Sequence, residues 1–252
     1  MISACGLSDT GCVRTDNQDR LLVDDELGFY AIADGMGGHS HGEVAAELAI
    51  STMKYYLESS HDRADISWPF GFDFDLSVDS NRLITAIRLA NHQVWKRAEE
   101  KPEYAGMGTT VAALLIHDNQ AAVANVGDSR VYLFRNGDLK QITTDDTWLN
   151  AILQRGPNYA QLRSHPLRNM LTQAAGSQSD VSVHNAALEV QAGDRLLLSS
   201  DGLHGVVEDE EIRGILATGG SIEELAARLL GAARTQGAPD NVSCILLSFG
   251  DR

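Results

Sequence analysis

Four aspartates stand where their side chains could share one site. Asp34 ends the apolar run 29–33 and is followed by Gly35-Met36-Gly37-Gly38, so its carboxylate projects from a strand terminus onto a turn whose backbone carbonyls can face the same way. Asp201 repeats that arrangement after the run 196–200 and is again followed by a glycine, Gly202. Asp128 sits between two apolar runs in Asn125-Val126-Gly127-Asp128-Ser129-Arg130, and Asp240-Asn241 immediately precedes the apolar segment 242–249. Carboxylates gathered at strand tips repel one another unless cations neutralise them. Hard oxygen donors, with no Cys or paired His at metal-binding spacing, select Mg²⁺ or Mn²⁺ over zinc. The chemistry indicated is two-metal hydrolysis. Each aspartate alone also fits a solvent-exposed turn or helix cap, where Asp-Gly is common; their order and context carry the reading.

The elements that must position these groups are legible as apolar periodicity. Strand-like runs recur at 20–24, 29–33, 110–116, 121–126, 131–134, 139–143, 195–199 and 242–249. Asn136-Gly137 between two of them satisfies the positive φ angles of a type I′ hairpin, so neighbouring strands there pair antiparallel. Helical spacing appears at 43–57 through Val44, Leu48 and Ala49, after a cap at Ser80 through Leu83, Ile87, Ala90 and Val94, and after the capping box Ser221/Glu224 through Leu225, Leu229 and Ala233. Each helix has one apolar face, which suits two antiparallel sheets packed together with helices over their outer faces. Two segments read as irregular. In 61–79, Trp68-Pro69-Phe70-Gly71-Phe72 lies in an acidic loop and would either close over the edge of the core or form a partner-binding patch. The stretch 145–179 carries Gly156-Pro157 and His165-Pro166 and is long enough to suggest function. The acidic run Glu208-Asp209-Glu210-Glu211 suits the first turn of a helix better than a further metal site.

Composition bounds the remaining possibilities. The chain has 252 residues, with 20 Lys and Arg against 35 Asp and Glu, for a net charge of −15. That excess opposes a nucleic-acid partner, whose phosphates require clustered cations. The length suits a single domain over 1–252, and 43% hydrophobic residues can build its core without disulfide or zinc staples. Three cysteines, Cys5, Cys12 and Cys244, form no CxxC pair and fit a reducing cytoplasm. No apolar run reaches the ~20 residues of a membrane helix, the first residues do not read as a signal peptide, and Ile2 after Met1 excludes N-myristoylation.

Taken in order, Arg14-x-x-Asn17-Gln18-Asp19, Asp34-Gly35-Met36-Gly37-Gly38-His39-x-x-Gly42-Glu43, Gly108-Thr109-Thr110, Val126-Gly127-Asp128-Ser129-Arg130, Ser200-Asp201-Gly202-Leu203 and Asp240-Asn241-Val242-Ser243 are motifs of one family. The chain resembles a bacterial metal-dependent Ser/Thr protein phosphatase of the type 2C (PPM) family over 6–249, including His165-Pro166-Leu167-Arg168-Asn169-Met170-Leu171-Thr172. The resemblance implies an α+β fold, a central two-sheet antiparallel β-sandwich flanked by helices on both faces, with 145–179 as a flap beside the active site. It implies hydrolysis of phosphoserine and phosphothreonine in proteins by in-line attack of a metal-bridging hydroxide, without a phosphoenzyme. Two core Mn²⁺ or Mg²⁺ ions would be held by Asp34, the Gly35 carbonyl, Asp201 and Asp240, and a third, weaker ion by Asp128 with Asp201. Asp19 would act mainly through metal-bound water, and Arg14 would grip the substrate phosphate. Met36 stands where many eukaryotic relatives carry histidine, which leaves His39 or a metal-bound water as the general acid. Gln18 replaces a common glutamate, and Thr147 replaces a histidine found in many bacterial members. The expected partners are phosphorylated Ser/Thr proteins, among them a cognate kinase, with no nucleic acid and no membrane insertion; the expected state is a monomer.

Two other readings compete. A regulatory pseudophosphatase would keep the fold and lose metal aspartates, yet all five are present. Another metal-dependent hydrolase could act on small phosphate esters, although the absence of a GxxxxGK[ST] loop argues against dedicated nucleotide hydrolysis.

Overall fold

Side chains alternate across the strand β3 (Phe29–Met36), and both of its faces are covered. Tyr30 and Ile32 point one way, Phe29, Ala31 and Ala33 the other, and all five are buried. A strand buried on both sides belongs at the centre of a layered structure. The computed structural model, which describes residues 2–37, 41–61, 63, 65–153 and 165–250, shows what covers it. One sheet runs β2 (Asp19–Asp24), β3, β5 (Val111–His117), β6 (Gln120–Val126) and β9 (His184–Glu189), with the short β4 (Gly108–Thr109) paired to the end of β3. The other runs β1 (Ile2–Asp9), β11 (Val242–Phe249), β10 (Arg195–Ser199), β7 (Arg130–Arg135) and β8 (Asp138–Gln141). Every ladder is antiparallel.

Between the sheets, Tyr30, Ile32 and Leu114 meet Leu196, Leu198, Ile245 and Leu247. Helices α1 (His41–Ser59) and α2 (Val78–Glu100) cover the outer face of the β3 sheet. The other sheet is covered by α5 (Asp209–Leu216) and α6 (Ile222–Thr235), with Leu225 and Leu229 packed in one cluster with Val242 and Leu246. Two short helices, α3 (Trp148–Leu153) and the single turn α4 (Asp201–His204), and a 3₁₀ turn at Pro102–Tyr104 complete the set described. This is the four-layer α-β-β-α sandwich anticipated from the sequence.

Several local expectations hold. Asn136 and Gly137 both take positive φ between β7 and β8, at 53° and 86°. Ser221 and Glu224 form both bonds of the capping box, and Asp209, Glu210 and Glu211 occupy the first turn of α5. Others are corrected. The cap of α2 is Ser77, whose side chain accepts from the Ser80 amide, while Ser80 is a buried residue inside the first turn. The buried face of α1 is made of Ala45, Ala46, Ala49, Ile50, Met53 and Leu57, with Val44 and Leu48 only partly covered. Small residues let that helix lie close to β3 and α2, an advantage that a hydrophobicity stripe does not register. Strands β1 and β9 escaped the periodicity reading because Gly6, the serines, Asn185 and the alanines are weak strand formers; pairing to β11 and β6 decides their state. The aromatic loop does not close the core. Phe72 meets both Trp68 and Phe74 edge to face, and Phe74 remains 91% exposed. Among the described residues, no helix is long and apolar enough to cross a membrane.

Candidate active site

Strand pairing brings the first two carboxylates together, because the β2–β3 register sets Asp19 directly opposite Asp34. The backbone at Asp34 is held on its far side: its amide donates to the Thr110 hydroxyl (3.2 Å), and its carbonyl accepts from the Thr110 amide (2.8 Å) and the Thr109 hydroxyl (2.9 Å). Gly35 then allows the start of α1 to press against the strand, since a Cβ there would lie 2.0 Å from the Gly42 carbonyl oxygen. Asp201 opens α4 directly after β10. Its neighbour Gly202 lies so near the final loop that a Cβ would fall 1.9 Å from the Asn241 carbonyl oxygen. Asn241 binds three segments into one rim, donating to the carbonyls of Thr10 and Asp16 (both 2.9 Å) and accepting from the Gln18 amide (2.9 Å).

Asp128 follows β6 on a turn in which Gly127 has φ 91°. The turn is clamped by Asp146, whose amide donates to the Gly127 carbonyl and whose carboxylate accepts from the Gly127 amide, both at 2.9 Å. The other Asp146 oxygen meets His184 Nε2 at 2.7 Å. Arg14 donates to Asp240 Oδ2 at 2.8 Å, with its side chain 56% exposed.

Asp34, Gly35, Asp128, Asp201, Asp240 and Arg14 all line one cavity of about 540 Å³, along with Met36, Asn169 and Leu171. Asp19 lies behind that wall. It is 2% exposed and accepts from the Ser200 hydroxyl at 2.8 Å, while its Oδ1 is buried with no partner. The electrostatic signature is that of crowded anions. Burial, reinforced by Asp19, Asp201, Asp128 and Asp240, holds the Asp34 carboxyl well above the usual range. Burial likewise pushes Asp19 up to about 6 and Asp128 up to about 7, with Asp201 adding to both. Asp201 is raised by burial and by Asp240. Arg14 is raised chiefly by its bond to Asp240.

A site of this kind fits divalent cations. All its donors are oxygens, Asp19 Oδ1 and Asp201 Oδ1 are buried without hydrogen-bond partners, and four neighbouring acids bind protons more tightly than they would alone. Among the described residues, no three His, Cys, Asp or Glu side chains close on a single point tightly enough to hold one ion. The carboxylates instead ring the cavity, with Asp240 drawn to Arg14.

Thus Arg14, Asp34, Gly35, Asp128, Asp201 and Asp240 meet at one cavity, and Asp19 supports it from behind. His39 lies outside the described residues, as do positions 154–164 of the expected flap. The rest of that segment supplies Asn169 and Leu171 to the cavity, and a Thr147–Leu171 bridge joins its two ends. Sequence reasoning missed the Asp146–His184 clamp, because the two residues lie 38 positions apart and neither sits in a recognisable motif. It also missed Ser200 as the partner of Asp19.

The family model for protein phosphatase 2C matches residues 13–246. The chain belongs to that family. Among protein phosphatase 2C relatives, the serine/threonine protein phosphatase PstP of Mycobacterium tuberculosis is 36% identical over 245 residues, 97% of this chain but only 44% of PstP. This chain therefore spans less than half the length of that relative. The protein phosphatase PhpP of Streptococcus pneumoniae is 30% identical, with 97% of this chain and 96% of PhpP aligned. A crystal structure of the PstP catalytic domain in complex with two manganese ions superposes with a TM-score of 0.81 at 34% identity, covering 99% of each chain. The family assignment and the sandwich expected from the motifs agree.

Proposed function

We propose that this chain is a metal-dependent protein serine/threonine phosphatase that hydrolyses phosphoserine and phosphothreonine in proteins, with residues 1–252 acting as one catalytic domain and 145–179 as its flap. The observation that carries this reading is the ring of carboxylates with Arg14 around one cavity. Manganese, as in the PstP catalytic domain, or magnesium is the expected ion. Bound divalent cations supply charge to offset the phosphate dianion and acidify water for attack on phosphorus.

The chain's own residues divide the work around them. Asp34, the Gly35 carbonyl, Asp201 and Asp240 hold the two core ions, and Asp128 with Asp201 holds a weaker third. Asp19, buried and bonded to Ser200, fixes the orientation of the pair it forms with Asp34 and reaches the reaction through water. Arg14 sits at the cavity mouth, where its planar guanidinium can take two phosphate oxygens at once. The three unpaired cysteines support a reducing cytoplasm as its compartment. A cognate Ser/Thr kinase among its substrates and a monomeric state complete the proposal.

The test is a comparison of initial rates with Mn²⁺ on a phosphothreonine peptide and on nucleoside triphosphates. Manganese-dependent release of phosphate from the peptide, much faster than from nucleotides, is expected. Turnover confined to nucleotides would place the chain among small-ester hydrolases, and phosphopeptide binding without turnover would make it a binding module.

A further inference from the structure

A second groove, again of about 540 Å³, opens beside the outer face of the β3 sheet, between α2 and the loop 70–76. Phe70, Phe72 and Phe74 line it from the loop, Ile84 and Arg88 from α2, and Asn185 from β9. The rings are held in place by one another: Trp68 meets Phe72 edge to face at 4.9 Å, and Phe72 meets Phe74 at 5.1 Å. Phe74 is nevertheless more exposed than any other large apolar side chain described. An aromatic platform left in water offers apolar area that a partner can cover, and each ring has only two side-chain torsions to fix.

Arg88 supplies the polar half. Its guanidinium carbon lies 5.9 Å from the centre of the Phe70 ring, its Nε is buried without an acceptor, and among the described residues it forms no ion pair. A guanidinium that lies over a ring and keeps a desolvated, unused donor favours a carboxylate. Asp73 and Asp75 also line the groove, and the Asp73 carboxylate accepts the Asp75 amide at 2.9 Å. With two carboxylates on the same groove, a polyacidic segment is disfavoured, and Arg88 offers a place for one acid only. The net charge of −15 adds to that discrimination. Finally, Asn185 belongs to the outermost strand of its sheet, and no described strand pairs with the other side of β9. An extended segment can therefore add backbone hydrogen bonds there.

We propose that this groove docks a short extended segment of a partner protein in which one carboxylate side chain lies near one aromatic side chain, the acid on Arg88 and the ring on the Phe72–Phe74 platform. Side chains two positions apart share a face of an extended segment. The probe is accordingly a fluorescein-labelled, unphosphorylated octapeptide of glycine, alanine and serine with one phenylalanine and one glutamate at that spacing. Fluorescence anisotropy should show saturable binding to the wild-type protein, weakened about tenfold by Arg88→Gln and at least severalfold by Phe74→Ala, as for truncation of central interface residues. Phe74 is so exposed that its replacement leaves folding intact, and both variants should hydrolyse a small aryl phosphate at the wild-type rate. Replacing the peptide glutamate by glutamine should cost the wild-type protein the same factor and cost Arg88→Gln nothing further. No saturable binding, binding unaffected by either variant, or equal affinity for the glutamine peptide would each overturn the proposal. Because the assay involves no turnover, its failure leaves the phosphatase reading untouched.

Discussion

Replacing Asp128 by asparagine should make the metal-free protein more stable at neutral pH and leave it unchanged in acid. The Asp128 carboxyl stands at about 7 in the fold against an ordinary value of 3.8, raised by burial and then by Asp201 and Asp145. Between those values the folded chain keeps a proton that the unfolded chain has released, so stability falls as pH rises through that window. The contribution is fully present below the unfolded value and is lost once the pH passes the folded one. At about 1.4 kcal/mol per pH unit, the loss from this one group reaches about 4 kcal/mol by pH 7.5. Asparagine has no charge to bury, although its amide still costs something to desolvate, so a gain of about 2–4 kcal/mol is expected, or about 4–16 °C in melting temperature for a chain of this size. Differential scanning calorimetry in the presence of a chelator, at pH 4.5 and at pH 7.5, reads both conditions. A melting temperature unchanged or lowered at pH 7.5, or raised equally at pH 4.5, would refute the view that Asp128 is held among uncompensated anions.

Two further substitutions probe the scaffold. Gly202→Ala should move the Asp201 and Asp240 loops apart, because its Cβ would fall 1.9 Å from the Asn241 carbonyl oxygen; a loss of about 1–3 kcal/mol in stability, together with most of the activity, is expected from melting curves and peptide hydrolysis. Ser77→Ala should cost about 1 kcal/mol without changing turnover, since the Ser77 side chain caps α2 and is not part of the lining of the active-site cavity; urea melts that leave the midpoint in place would assign the cap elsewhere.

The parts of this molecule that were legible in its sequence are those settled by local chemistry. Asn136-Gly137 dictates its turn, Ser221 and Glu224 dictate their cap, and the Asp-Gly pair at 201 follows the end of β10, whereas Asp34, expected at a strand terminus, lies inside β3, which pairing with β4 carries on to Met36. What could not be read depends on partners distant in the chain. Asp146 gains its role from Gly127 and His184, and Ser200 from Asp19, 181 positions away. The alanine face of α1 was misjudged because close approach rewards small side chains, whereas hydrophobicity favours Val44 and Leu48. The aromatic residues of 68–74 look like core in one dimension, yet they stack on one another at the surface.

The central claim is that the carboxylates around the cavity hold divalent cations through Asp34. Calorimetric titration of Mn²⁺ into metal-free wild-type protein and into Asp34→Asn tests it most directly. The expected result is tight binding of at least two ions by the wild type and loss of that tight stoichiometry in the variant. Wild-type protein that takes up no manganese, or an Asp34→Asn variant that binds as many ions as tightly, would contradict the account.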